Sequence, residues 1–392
     1  MKSDIKLELA REIALDAPTP NPDIGIRAGV DALHPTYRGR VMTSFAGWNF
    51  LELHEHRELK SVAVQALQEY GVGLATGRHV GGLTSVHLAC EARIGRFFAA
   101  EGALLFSTKN QAILSTITSL CSEGVIVIGP ALTTMPLADA SALMGAEYVE
   151  FENEEELRQI LERYRLAKRV VVVGEAVAAI TGQRLDTKRF LLALEQSGAW
   201  GVIDETAALG HSGLRGAGSA EDVPSSPALL ARLVNFGPIA GVELAALVGS
   251  QELRDVLSNR SRYVRLDAAP SIVASAVVER TLDLIEVAIA QRDRLSMRSK
   301  LVSSAARSQG WKVVSDESAP ITSIWCESLL KARELQDALL QRGIVVDALA
   351  ARGLRRNGAI ARILLSTAHS EDEITRLMES LLEIRKRLPS TD

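Results

Sequence analysis

Apolar positions along the chain fall into two rhythms. Short apolar runs at Ala103 to Phe106, Val125 to Ile128, Arg169 to Val173 and Val202 to Ile203 show no polar alternation, and stretches of helical spacing separate them. Runs of that length without alternation predict strands buried on both faces, and strands separated by helices predict a mostly parallel sheet. Helical spacing also runs from about Arg57 to Tyr70. The expected class is α/β, with one large sheet domain.

A different order follows Pro270. A long helical pattern from Ser271 to about Arg307 leads to strand-like Trp311 to Val314 and Ile321 to Cys326. Then come a helix from Ala332 to Arg342, strands at Ile344 to Val346 and Ala361 to Ser366, and a terminal helix from Glu371 to Arg387. Ser370 and Glu373 have capping-box spacing at the start of that last helix. This half reads as a small α+β domain. At the other end, an amphipathic stretch around Leu7 to Leu15 precedes Ala17-Pro18-Thr19-Pro20-Asn21-Pro22, which cannot sustain a helix and suggests an arm. The expected organisation is an arm at 1–44, a large α/β domain at 45–270, and a linking helix with a small domain at 271–392.

Composition narrows the function classes. At 392 residues the chain exceeds one typical core, and a net charge of −4 gives no reason to expect nucleic acid. Cys90, Cys121 and Cys326 lie far apart without Cys-x-x-Cys spacing, and His54, His56 and His79 show no ligand spacing, so no metal is expected. The cysteine usage suits a reducing compartment, and Met1-Lys2-Ser3-Asp4-Ile5-Lys6 alternates charge too early for a signal peptide. A cytoplasmic protein without a membrane span is the expectation.

The motifs are more specific. Trp48-Asn49-Phe50-Leu51-Glu52-Leu53 is followed by Tyr70-Gly71-Val72-Gly73, Gly77-Arg78, Gly81-Gly82-Leu83-Thr84, His87-Leu88 and Glu91. Further on stand Asp204-Glu205-Thr206-Ala207, with Gly210, Gly213, Gly216 and Gly218, and then Asn235-Phe236-Gly237-Pro238-Ile239-Ala240-Gly241. In this order and spacing the series resembles the α-oxoamine synthases, pyridoxal-phosphate (PLP) enzymes that condense an amino acid with an acyl-CoA thioester. The resemblance implies a fold type I, aminotransferase-like architecture.

It also implies a site, residue by residue. A PLP catalyst needs a lysine for the aldehyde, a carboxylate at the pyridine nitrogen, a stacked ring, phosphate donors and a cation for the substrate carboxylate. By family position Asp204 is the carboxylate, and Arg362, in Ala361-Arg362-Ile363-Leu364-Leu365-Ser366, is the cation. Asn49 joins Arg362 on the substrate side. For Asp204 a loop-tying role competes, and for Arg362 a salt bridge between lobes.

The remaining positions depart from the family. Pro238 stands where the Schiff-base lysine would be, and the chain carries no lysine between Lys188 and Lys300. Thr134 replaces the stacking histidine, Ala207 a second histidine, and Asn235 a phosphate-side threonine. Ser107-Thr108-Lys109-Asn110-Gln111-Ala112 replaces a glycine-containing phosphate turn, and Asp267 would repel a phosphate. For Lys109 three readings stand open: a solvated loop lysine, a cation for an anion such as a CoA phosphate, or a relocated Schiff-base lysine. No catalytic residue can be named.

These departures give an expectation of no bound PLP, with acyl-CoA as a possible ligand. The leading functional expectation is a catalytically silent subunit, in a homodimer or in a heterodimer with a lysine-bearing homologue. Alternatives are a PLP-independent acyl-thioester transferase, for which Thr134, Thr206, Lys109 and His211 are the polar newcomers, and an unorthodox PLP-dependent synthase.

Overall fold

A computed structural model describes residues 33–223, 225–350 and 358–387. The expected helix at Leu7 to Leu15 and the Pro-rich linker lie outside the described residues. Seven strands form the large sheet: β1 (Gly102–Phe106), β2 (Val125–Pro130), β3 (Glu147–Phe151), β4 (Arg169–Glu175), β5 (Trp200–Asp204), β6 (Leu229–Asn235) and β7 (Ala245–Gly249). Their order is β1-β7-β6-β5-β4-β2-β3. The pairings β2–β3, β2–β4, β4–β5 and β5–β6 are parallel, while β7 runs antiparallel to both β1 and β6.

The alternation of side chains divides the core in two. On one face Leu105, Ile128, Val172, Ile203, Val234 and Val248 join a cluster that continues into the C-terminal domain through Ile321, Ile363 and Leu381. On the other face Leu104, Val127, Val171, Val202, Leu233 and Leu247 form a second cluster. Both faces being apolar explains why these strands read as unbroken apolar runs.

Three strands escape that reading, each for a physical reason. β3 is an edge strand whose Glu147 and Glu150 are exposed. β6 carries Arg232, buried and paired with the fully buried Glu205 at 3.4 Å, so a charge interrupts its apolar run. β7, Ala245-Ala246-Leu247-Val248-Gly249, is poor in β-branched residues.

The helices flanking the sheet include α1 (Arg57–Tyr70), α2 (Ser85–Phe97) and α3 (Lys109–Leu120), followed by a four-residue turn of helix, α4 (Gly237–Ala240). The expected single helix after Pro270 is two, α5 (Ile272–Val287) and α6 (Ile289–Ser308), separated at Ala288. Arg292 donates to the Ile285 carbonyl at this break (2.6 Å) and to Leu214 O (3.0 Å), so the interruption is satisfied internally.

The small domain has a three-stranded antiparallel sheet, β8 (Ile321–Cys326), β9 (Asp347–Ala350) and β10 (Ala359–Leu364), in the order β8-β10-β9. Helices α7 (Leu329–Gln341) and α8 (Glu371–Arg387) accompany it. The expected strand at Trp311 to Val314 is reduced to one bridge, Val313 to Ile324. Ile344–Val345 pairs in parallel with Thr43–Ser44. The Ser370–Glu373 capping box is formed: Glu373 N donates to Ser370 Oγ (3.2 Å) and Ser370 N to Glu373 Oε2 (2.8 Å).

The two domains are joined near the sheet's C-terminal edge. Leu364 N donates to Phe45 O (2.7 Å), Thr367 N to Phe50 O (3.0 Å), and Ser323 Oγ to Ile180 O (3.0 Å). Among the described residues no helix is long and apolar enough to cross a membrane.

Candidate functional site

The sheet registers bring the site together. Glu175 and Asp204 are paired residues at the ends of β4 and β5, Asp204 is opposite Leu233 of β6, and Phe106 and Asn235 both face Ala245. The strand-end residues and the loop leading into α3 therefore share one edge, the edge where open α/β sheets place ligands.

Lys109 reaches across this edge. Its Nζ lies 3.0 Å from Asp204 Oδ2 and donates to Thr134 Oγ1 at 3.2 Å. The lysine side chain is 13% exposed and that of Asp204 5%. Burial alone would disfavour the ammonium, but the charges of Asp204 and Glu175 outweigh it and hold the Lys109 pKa above the ordinary lysine value. Of the three readings left open, the solvated lysine is excluded by this geometry. Asp204 Oδ1 accepts from Thr206 N (2.9 Å), so both carboxylate oxygens are engaged within the chain.

Glu175 was not singled out from the sequence. It is 7% exposed, accepts from Thr133 Oγ1 at 2.7 Å and from Ala179 N at 3.0 Å, and its pKa is pushed up to about 7 by burial first and by the Asp204 charge second. A signal is present in the sequence: Glu175 lies two residues beyond the apolar run Arg169 to Val173, at the end of the strand that run predicts.

The other positions are held by local bonds. Thr206 Oγ1 accepts from Asn235 N (3.0 Å), and Asn235 Oδ1 accepts from Gly237 N (3.0 Å), which ties β5 to β6 and sets the entry to α4. Pro238 lies in the first turn of α4, and its carbonyl lies 3.3 Å from His54 Nε2. Ala207 is buried, and its carbonyl lies 2.5 Å from Nε2 of His211, whose pKa burial lowers to about 3. That neutral, half-buried imidazole sits edge-on to Phe50 with ring centroids 5.4 Å apart.

At the turn into α3, Gln111 makes several hydrogen bonds. Its Oε1 accepts from Ser107 N (2.8 Å), its own N–H donates to Thr108 Oγ1 (3.1 Å), and its Nε2 donates to Asp267 Oδ2 (2.9 Å). Donors of the expected phosphate turn are thus partly satisfied by side chains, and Asp267 closes onto it.

Arg362 forms its salt bridge within the small domain and crosses to the large domain through a backbone carbonyl. Its Nε (3.2 Å) and Nη2 (2.6 Å) donate to Asp347 Oδ2, and its Nη1 donates to Ala179 O in the large domain (2.6 Å). Its guanidinium lies 5.2 Å from the Trp48 ring centroid. Asn49 is buried; its Oδ1 accepts from His54 N (3.4 Å) and its carbonyl from Ser366 Oγ (2.5 Å).

With this geometry in view, residues 47–381 match the family model described as aminotransferase class I and II, and the chain belongs to that family. Within it, the chain's place is among the α-oxoamine synthases. An 8-amino-7-oxononanoate synthase from Thiobacillus denitrificans is 30% identical over 360 residues, 91% of this chain and 92% of the relative. A serine palmitoyltransferase structure from Sphingomonas wittichii superposes with a TM-score of 0.88 at 22% identity, covering 98% of each chain. A lysine-to-alanine variant of serine palmitoyltransferase from S. paucimobilis, described with a bound PLP–myriocin aldimine, superposes at 0.87 with 19% identity, again over 98% of each chain.

These findings correct the expectation of no cofactor. They point to PLP, with which the serine palmitoyltransferase variant is described. In this chain the residues present meet PLP's needs unevenly. Asp204 is a carboxylate suited to a ring nitrogen, but Lys109 engages it; Thr134 offers no ring to stack, and Pro238 offers no amine.

Proposed function

We propose that this chain is an α-oxoamine-synthase-like subunit that forms no aldimine of its own and pairs with a lysine-bearing homologue in the condensation of an acyl-CoA with an amino acid. The observation that carries this reading is the 3.0 Å bond between Lys109 and Asp204. Among the described residues, the lysine that reaches the strand-end carboxylates is committed as an ion-pair partner and held protonated, which removes its lone pair from attack on an aldehyde. Pro238, in α4, stands where the resemblance puts the reactive amine. The assembly would be a dimer, mixed where the homologue is present, and would work in the cytoplasm.

The test is co-expression with a lysine-bearing homologue, followed by borohydride reduction with PLP and mass measurement of each chain. The proposal expects a mixed dimer in which the adduct falls on the homologue. Homodimers alone, or a stoichiometric adduct on this chain, would overturn it.

One observation favours a second reading. The lysine-to-alanine relative described with a bound aldimine supports a chain that holds PLP joined to its amino substrate rather than to itself. Turnover of amino acid and acyl-CoA by the purified chain with added PLP, without borohydride trapping on any of its lysines, would select this second reading.

A further inference from the structure

We propose that Lys109 is a tethered competitor for the Asp204 carboxylate: a ligand with a protonated ring nitrogen, as in PLP, gains that carboxylate only by displacing the Lys109 ammonium. The inference rests on geometry independent of whether the chain catalyses anything. Asp204 is nearly closed to solvent, with Oδ1 committed to Thr206 N and Oδ2 to Lys109 Nζ. The second carboxylate, Glu175, ends the adjacent strand and is held by Thr133 and Ala179 N.

Among the described residues, Lys109 is the cation bonded at this pair of strand-end carboxyl groups. A ring nitrogen entering this edge would bring a second positive charge against Lys109, so the two cations exclude each other at short range. Lys109 can yield without unfolding its surroundings. It is the first residue of α3, anchored by its backbone at the helix start while Thr108 supplies the cap, so displacement needs only side-chain rotation. Thr134 accepts from the same ammonium and is itself exposed, which marks the direction in which the side chain can leave.

The consequence is a specificity rule for this edge. Ligands lacking a ring cation meet a pre-neutralised carboxylate, and ligands carrying one bind against an internal rival.

The experiment uses pyridoxine 5′-phosphate, which has the ring nitrogen and phosphate but no aldehyde, so that imine formation plays no part. Affinity for wild type, Lys109→Met, Lys109→Ala and Lys109→Met/Asp204→Asn would be measured by fluorescence or calorimetry on full-length protein. Removal of Lys109 is expected to tighten binding about tenfold or more, and Asp204→Asn to erase that gain in the double variant. Unchanged affinity in both single variants, or a gain that survives Asp204→Asn, overturns the proposal.

Reductive methylation of wild type supplies a second readout should the variants fold poorly. Lys109 is expected to be protected in the free protein and to be modified once the analogue saturates the site; equal protection in both states overturns the proposal. Aldimine formation enters neither readout, so this inference and the subunit reading can fail separately.

Discussion

Glu175 and Asp204 are direct register partners at the ends of two parallel strands, which places two buried carboxyl groups side by side at the edge that Lys109 closes. Much of the behaviour of this edge follows from the proximity of the Lys109 ammonium to these two acids.

Replacing Lys109 by Met removes the counter-charge while leaving the acids buried. Breaking one side of a buried pair costs about 3 kcal/mol or more, because the remaining charge stays desolvated. The single variant should therefore unfold at lower urea concentration, and Lys109→Met/Asp204→Asn should recover part of the loss. A double variant as unstable as the sum of the singles would contradict the pairing.

Glu175 makes stability depend on pH in a defined direction. Its pKa is raised from 4.5 in the reference state to about 7 in the fold, so the folded protein binds the extra proton between those values. The associated stability is fully present below about pH 4.5 and is lost as pH rises through about 7, by at most about 3 kcal/mol. Melting temperatures of wild type and Glu175→Gln should diverge over this window, with wild type losing ground as pH rises. The half-buried His211 is common to both proteins and largely cancels in the comparison.

Arg362, fixed within the small domain by Asp347, reaches the large one through Ala179 O and the Trp48 ring. Arg362→Ala is expected to destabilise by about 3 kcal/mol and to expose the chain near residue 180 to limited proteolysis. Arg362→Lys should restore little, since an ammonium cannot reproduce the planar fork that reaches both partners.

Two glycines separate backbone strain from crowding. Gly198 ends a helix at φ 69° with open space around it, whereas Gly218 has φ 93° and a Cβ there would run into the buried Glu205 carboxylate. Gly198→Ala should cost about 1 kcal/mol for the left-handed backbone, and Gly218→Ala clearly more, because Glu205 is fixed by Ser219 N, Ala220 N and Arg232. Thermal unfolding of the two variants would rank them.

The fold was legible where burial is symmetric. Strands with apolar residues toward both core clusters announce themselves, and β8, α7 and α8 were visible by their own periodicity. The hidden elements are those whose sequence answers to a distant partner: Arg232 makes sense on a strand only because Glu205 lies beneath it, and Glu147 only because β3 is an edge. At the site, family position drew attention to Lys109 and Asp204, yet no spacing rule could say that residues 95 positions apart would meet. Glu175 could have been found by treating every strand-end acid alike. The expectation of an absent cofactor failed for a different reason: it took a missing covalent anchor as a missing ligand, whereas the relatives point to PLP.

The stitching of Thr43–Ser44, Phe45 and Phe50 to Ile344–Val345, Leu364 and Thr367 has a consequence for biosynthesis. Those early residues leave the ribosome first, and their partners emerge some 300 residues later. Until then the segment at 43–50 has no backbone partners from the small domain, and the large sheet must assemble without that closure. A chain stalled before Ile344 would leave Thr43–Ser44 unpaired and the backbone carbonyls of Phe45 and Phe50 without their small-domain donors.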